Sequence, residues 1–305
     1  MATTIERVRL TEPRQAVEAI PYLLGFHPSE SLVVLGLRDG RVAVALRVDL
    51  DSPEDLLRDA ARTLLRHSIT AGLLVIWTAQ PDVEVAAISG PILRLWERDG
   101  FLVPAVLVTD GTVLHSENGV QRLNFTDTPL AAPAVAAGTH PLPSRDALVE
   151  SIEGEPATDP TARQATATDW LTAATAFHAD PAATLPDEAT ASLLNSLDGP
   201  DRLLRDRVLA SLVGGEDAVV PAVVPAALVT YLARRARPRD AGIHCLQATS
   251  ALLAGSSIVA HAALDRVHVE HSLTVLLRQM TDLGTPPQAV AAVLVQVANE
   301  AGPLA

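Results

Sequence analysis

Through the first third of the chain, short unbroken apolar runs alternate with stretches whose apolar residues recur every three or four positions. Leu32–Leu35, Gly72–Trp77 and Phe101–Thr109 are short and rich in β-branched residues, so they predict strands covered on both faces. Thr4–Leu10 alternates polar and apolar residues and predicts an edge strand. A helix opens at Thr11 or Glu12, with Pro13 in its first turn, and closes on Gly25. Ser52 as N-cap, Pro53 at the first helical position and Asp55 beyond predict a second helix reaching Arg66, with Leu56, Leu57, Ala60, Ala61, Leu64 and Leu65 inward. A third helix is expected over 81–98, and Thr112–His115 as a returning strand. Helices alternating with buried strands define an α/β domain over residues 1–115, with a mixed sheet of about five strands.

From residue 161 the pattern is helical throughout. Helices are expected near 161–178, 187–197, 200–213, 222–236, 240–254, 257–268, 272–283 and 286–301, giving an all-α domain over 161–305. Small residues at Ala248 and Ala260, with Ala254-Gly255-Ser256 turning between them, have the spacing of a tetratricopeptide-like helix pair. Residues 116–160 read as a connector. The stretch 116–143 exceeds the roughly 12–15 residues usual for a structureless loop. Its spaced apolar anchors, among them Leu123, Phe125 and Leu142, predict that it packs on a surface.

The chain is organised around Ile20–Leu37. Helix end, polar loop (Phe26-His27-Pro28-Ser29-Glu30) and buried strand follow one another there, and Arg38-Asp39-Gly40 then turns the strand back into Arg41–Leu50. A three-residue turn sets Leu37 opposite Arg41, Ser31 opposite Arg47 and Ser29 opposite Asp49, with His27 near Asp51. A one-residue error in register would move every pairing. Phe26, His27, Ser29, Ser31, Arg47 and Asp49 thus converge at one sheet edge as a ligand or partner site.

Composition narrows the function. All 23 basic residues are arginine, as in a GC-rich genome, and the net charge of −13 disfavours sequence-independent nucleic-acid binding. The single cysteine, Cys245, forms no intrachain disulfide and fits a reducing compartment. No secretory signal or membrane span is visible, which predicts a cytoplasmic protein. GxGxxG, GxxxxGK[ST] and GxSxG are absent, and no cofactor is expected.

PYLLGFHPSESLVVLGL, followed by RVAVALRVDL, resembles the hallmark of an uncharacterised actinobacterial family, a domain of unknown function. AAGTHPLPSRDAL (136–148) and AHAALDRVHVEHSLTVLLRQMTDLGTPP (260–287) are similar to it as well. The resemblance implies the architecture and carries no activity. Members often have cysteines where this chain has His115-Ser116-Glu117, so a metal or disulfide role there is not expected.

Two constellations carry chemistry. His27, Ser29 and Asp49 have the residue types of base, nucleophile and orienting acid, and would make a hydrolase. Their alternative role is to shape a turn. His261, Asp265 and His268 lie at i, i+4 and i+7 and would share a face if one helix carried all three, as a weak divalent-metal set. The reading favoured by the sequence is a non-catalytic protein that binds a partner, a second copy of itself or a small ligand at the His27 loop.

Overall fold

The computed structural model describes residues 12–39, 41–81, 85–116, 119–129, 131–136, 140–152, 162–198, 202–213, 224–237, 240–268, 272–302 and 304. The expected strand Thr4–Leu10 and the 153–160 part of the connector lie outside these. The chain divides into two compact units, Met1–Leu148 and Val149–Ala305.

The first unit is a mixed α/β sheet. Its order is α1 (Pro13–Leu24), β1 (Ser31–Arg38), β2 (Arg41–Asp49), α2 (Glu54–Arg66), β3 (Ala71–Trp77), α3 (Val85–Arg98), β4 (Val106–Thr109), β5 (Val113–Ser116), β6 (Gly119–Arg122) and α4 (Ala131–Ala136). A helix α5 (Arg145–Ser151) runs across the division. The six strands lie in the order β2-β1-β3-β4-β5-β6, with β3 and β4 parallel and every other pair antiparallel. The sixth strand comes from the stretch expected to be a connector: Gly119–Arg122 pairs with β5, and Leu123 is buried beyond it.

Alternation decides the two faces. Leu32 and Val34 of β1, with Leu74 and Ile76 of β3, meet Leu57, Ala61 and Leu64 of α2 and Ile92 and Trp96 of α3. Val33, Leu35, Val75 and Trp77 point to the other face and are equally buried. This two-sided burial explains why β1 and β3 read as unbroken apolar runs rather than alternating ones.

α2 begins one residue later than its sequence signals suggest, and Leu56, expected inward, is 50% exposed because it lies off the stripe of Leu57, Ala60, Ala61 and Leu64. Pro53 is the capping residue, without a side-chain cap, and Ser52 instead donates its backbone N–H to the Asp49 carbonyl.

The second unit is helical: α6 (Ala167–Ala179), α7 (Asp187–Leu197), α8 (Arg202–Ala210), α9 (Ala226–Arg234), α10 (Ala241–Leu253), α11 (Ser257–Asp265), α12 (Ser272–Asp282) and α13 (Pro287–Ala301). α6 starts at 167 rather than 161 because Thr166 and Asp169 form a reciprocal capping box, which fixes the first turn there. α10 is the centre. Ala241–Thr249 is buried without interruption, so α10 shows little amphipathic contrast. Ala248 and Ala260 are both fully buried where α10 and α11 pack, and Gly255 turns the chain between them at φ +78°. That is the close approach which small residues permit.

Candidate functional site

Gly25 ends α1 in the left-handed region (φ +82°), its N–H bonded to the Pro21 carbonyl. The chain then runs extended against residues 141–143. His27 donates its backbone N–H to Leu142 (2.9 Å), and Leu142 donates to Gly25 (2.9 Å). Leu142 lies between two prolines, which hold it extended and leave it as the donor of the segment. This pairing brings Ser144, Arg145 and Asp146 to the His27 loop. They were outside the expected site, and Pro-Leu-Pro was the signal that could have flagged them.

The hairpin register differs from the expected one. Arg38, rather than Leu37, faces Arg41, and a bulge at Ala43 adds a second one-residue shift. The observed partners are Ser31↔Asp49 and Val33↔Arg47. Two shifts of one restore the parity of the faces. Arg47 therefore still reaches Ser31, now as a diagonal neighbour: its Nε donates to Ser31 Oγ at 2.9 Å. Ser31 Oγ in turn donates to the Ser29 carbonyl at 2.6 Å. Arg47 also pairs with Asp49; its side chain is 12% exposed, against 56% for Asp49.

Glu30 is held at φ +41°, an unusual conformation for a residue with a side chain. Its carboxylate accepts the Ala79 N–H at 2.7 Å and approaches Thr78 Oγ1 at 3.3 Å, closing off the end of β3. These groups frame a cleft of about 540 Å³ lined by Ser29, Glu30, Arg47, Asp49, Asp51 and Ser144–Asp146, together with Leu50.

His27 is not in that lining. Its ring sits edge-on to Phe125 at 5.0 Å, and Phe125 stacks on Trp77 at 6.2 Å. Burial lowers the pKa of the imidazole below its ordinary range, favouring the neutral ring. Phe125 is held from α1: Tyr22 donates to its carbonyl at 2.6 Å, and the buried Glu18 accepts the Asn124 N–H at 2.8 Å. Of the expected site, Ser31, Arg47 and Asp49 are bonded together and Ser29 joins them through its carbonyl. Phe26 is buried in the core. No hydrogen bond joins His27 to Ser29 or Asp49 in the geometry described.

The second constellation comes apart. α11 ends at Asp265, and the next residues tighten into three-residue turns, Arg266 to Ala263 and Val267 to Leu264. His268 is therefore off the helix that was to align it. His261 instead lies 3.8 Å from Asp282, and Asp265 lies 3.5 Å from Arg278. Among the described residues no group of three His, Cys, Asp or Glu side chains could hold a metal ion.

In the helical unit, an apolar groove of about 270 Å³ opens among α8, α10, α12 and α13, lined by the buried Leu209, Leu277 and Leu294, by the exposed Leu276 and Val293, and by Asp206 and Glu300. Among the described residues no helix is long and apolar enough to cross a membrane.

The chain thus combines a mixed α/β unit, bearing a polar cleft where β1 begins and β2 ends, with a helical unit. Residues 13–198 match the family described as domain of unknown function (DUF4192), and the chain belongs to that family. The match takes in the described sheet and extends through α7. No curated protein and no solved structure matches the chain.

Proposed function

We propose that this is a non-catalytic binding protein of the cytoplasm of an actinobacterium, whose α/β unit takes a small polar ligand in the cleft beside the His27 loop. The observation that carries this reading is the state of Arg47. Its guanidinium is largely buried and oriented by Ser31 and Asp49 before anything binds, the preorganisation that a recognition group needs. Arg145, Asp51 and Asp146 add charges of both signs around the same space, so a ligand with both an anionic and a cationic end is the best match. The helical unit would contribute through its groove, whose two acids favour a basic amphipathic segment. The arginine-only composition supports the proposed source.

A thermal-shift screen over amino acids, nucleotides, sugar phosphates and polyamines tests the ligand reading. A ligand at a hundred times its Kd raises stability by about 2.7 kcal/mol. At least one class is expected to stabilise the wild type and to lose that effect in Arg47→Ala and Arg145→Ala. A hydrolase using His27, Ser29 and Asp49 is the rival. Ester turnover that disappears in both Ser29→Ala and His27→Ala would replace the binding reading with that one.

A further inference from the structure

Between Asp282 and Glu300 the chain carries no charged residue, in a protein whose net charge is −13. Most of that run builds α13, which packs on α8 and α10 and buries Val290, Leu294, Ala298 and Ala301. The opposite face of the helix, formed by Ala289, Ala292, Val293, Gln296, Asn299 and Glu300, is exposed. A solvated helix face normally carries charges along its length, whereas this one is uncharged until its last turn. Val293 is 41% exposed, and Leu203 of α8 and Leu276 of α12, exposed at 48% and 44%, line the same groove beside it. Exposed apolar surface continuous over three helices marks an interaction site.

The charges at the two ends of α13 indicate what covers it. Pro286 and Pro287 open the helix, no side chain caps it and its first turn holds no acid, so no local group balances the positive end of the helix dipole. Glu300 stands in the last turn, where its own helix disfavours a carboxylate. Among the described residues it has no cationic partner; it accepts a bond from Gln296 at 3.3 Å. Two parallel copies of α13 would set Glu300 beside Glu300. Two antiparallel copies set each Glu300 beside the bare N-terminus of the other helix, about 18 Å from its own partner-facing end.

We propose that the outward face of α13 is a site of self-association, where two copies pack their α13 helices antiparallel about a two-fold axis level with Leu294 and Val295. Val293 of each copy then lies against Gln296 of the other, Ala292 against Val297, and Glu300 against Gln288 and Ala289. The uncharged middle of the face lets two chains of high negative charge approach, and the two Glu300 contacts set the direction of pairing. Specific interfaces bury roughly 1,200–2,000 Å², more than one helix pair supplies, and Leu203 and Leu276 provide apolar area on the flank. Val293 and Glu300 belong both to this face and to the groove, so a segment bound in the groove competes with the second copy. The pairing does not depend on what the polar cleft binds.

Sedimentation of the full chain measures the association, and crosslinking measures its register. The wild type is expected to form a dimer. Ala292→Glu places like charges near the axis and should weaken it roughly a hundredfold. Because Ala292 is exposed, the variant should keep the thermal midpoint of a monomer. Glu300→Arg should weaken the dimer about tenfold, and adding Ala289→Glu should restore it, since each new arginine then meets the new acid of the other copy. The native Cys245 is buried and does not compete in crosslinking. Gln296→Cys should be joined to its copy by a short thiol-specific crosslinker, the two positions being about 5 Å apart along the helix axis. Gln288→Cys, about 20 Å from its copy, should stay monomeric on the same gel. A wild-type chain that sediments as a monomer would overturn the proposal, whether another segment or a different partner takes the face. So would a dimer indifferent to Ala292→Glu, or equal crosslinking by the two cysteine variants.

Discussion

Trp96→Ala is expected to cost the α/β unit about 4 kcal/mol, the range for truncating a buried tryptophan. Trp96 is fully buried between α2, α3 and the sheet, and its ring meets Phe101 edge-on at 5.7 Å. Its indole N–H donates to the Leu57 carbonyl at 2.8 Å, linking α3 to α2. Truncation opens a cavity and also leaves that carbonyl without its indole donor. Few domains are stabilised by more than roughly 5–15 kcal/mol, so a loss of this size consumes much of the margin. Hydrogen exchange localises it: the amides of β1 and β3 should lose about three orders of magnitude of protection, at tenfold per 1.4 kcal/mol. Trp96→Phe retains most of the volume and loses the hydrogen bond, and about 1–2 kcal/mol is expected for it. Similar exchange in both variants would mean that volume at this position does not hold the sheet to its helices.

The strands that were easiest to read in the sequence are those buried on both faces. β1 and β3 are short continuous apolar runs rich in β-branched residues, flanked by turn signals. β6 was not legible. Its four residues are all exposed, and it is a strand only because β5 offers it an edge. No local pattern encodes that, whereas Leu123 just beyond it did signal a packed segment. α7, set off by Pro186 before it and Gly199-Pro200 after it in the sequence, was legible to the residue: 187–197 was expected and Asp187–Leu197 is observed. α6 was not, because the side-chain box at Thr166 overrode an apparent helical continuity upstream.

The site shows the same division. Ser31, Arg47 and Asp49 were brought together correctly although the register was wrong, because two one-residue errors cancel in a structure of period two. His27 was misplaced for a different reason. Its neighbours Phe125 and Trp77 come from distant parts of the chain, and aromatic packing has no sequence spacing. Asp265 and His268 shared a face only if the helix ran past 265, which local periodicity could not decide.

His244 should make the helical unit lose stability as the pH falls. The residue has 0% exposure on α10, and among the described residues neither ring nitrogen has a partner of good geometry; the Arg237 backbone lies near enough only to favour the charged ring slightly. Burial first, and then the positive field of Arg266, lower its pKa to about 4 from 6.5, while Asp240 acts the other way. The unfolded chain therefore takes up a proton at a higher pH than the folded one. The stability is fully present above pH 6.5, is lost as the pH falls towards 4, and changes no further below that. The expected loss is about 3 kcal/mol. Asp198 opposes it. Burial first, then Asp240, raise its carboxyl to about 6 against the bond from Gly242, so its protonation favours the folded state as the pH falls through the same window. Asp198 is exposed at its surface, however, and water screens its contribution to a fraction of that value. Replacing His244 by leucine removes two unpartnered buried nitrogens, so at neutral pH it should be neutral or stabilising by about 1 kcal/mol. The same variant should also reverse the slope, since Asp198 then acts alone. Urea unfolding followed by exchange of the α10 amides, at about pH 7 and about pH 4.5, measures both effects. Equal losses in the wild type and in His244→Leu would assign the acid sensitivity to other groups.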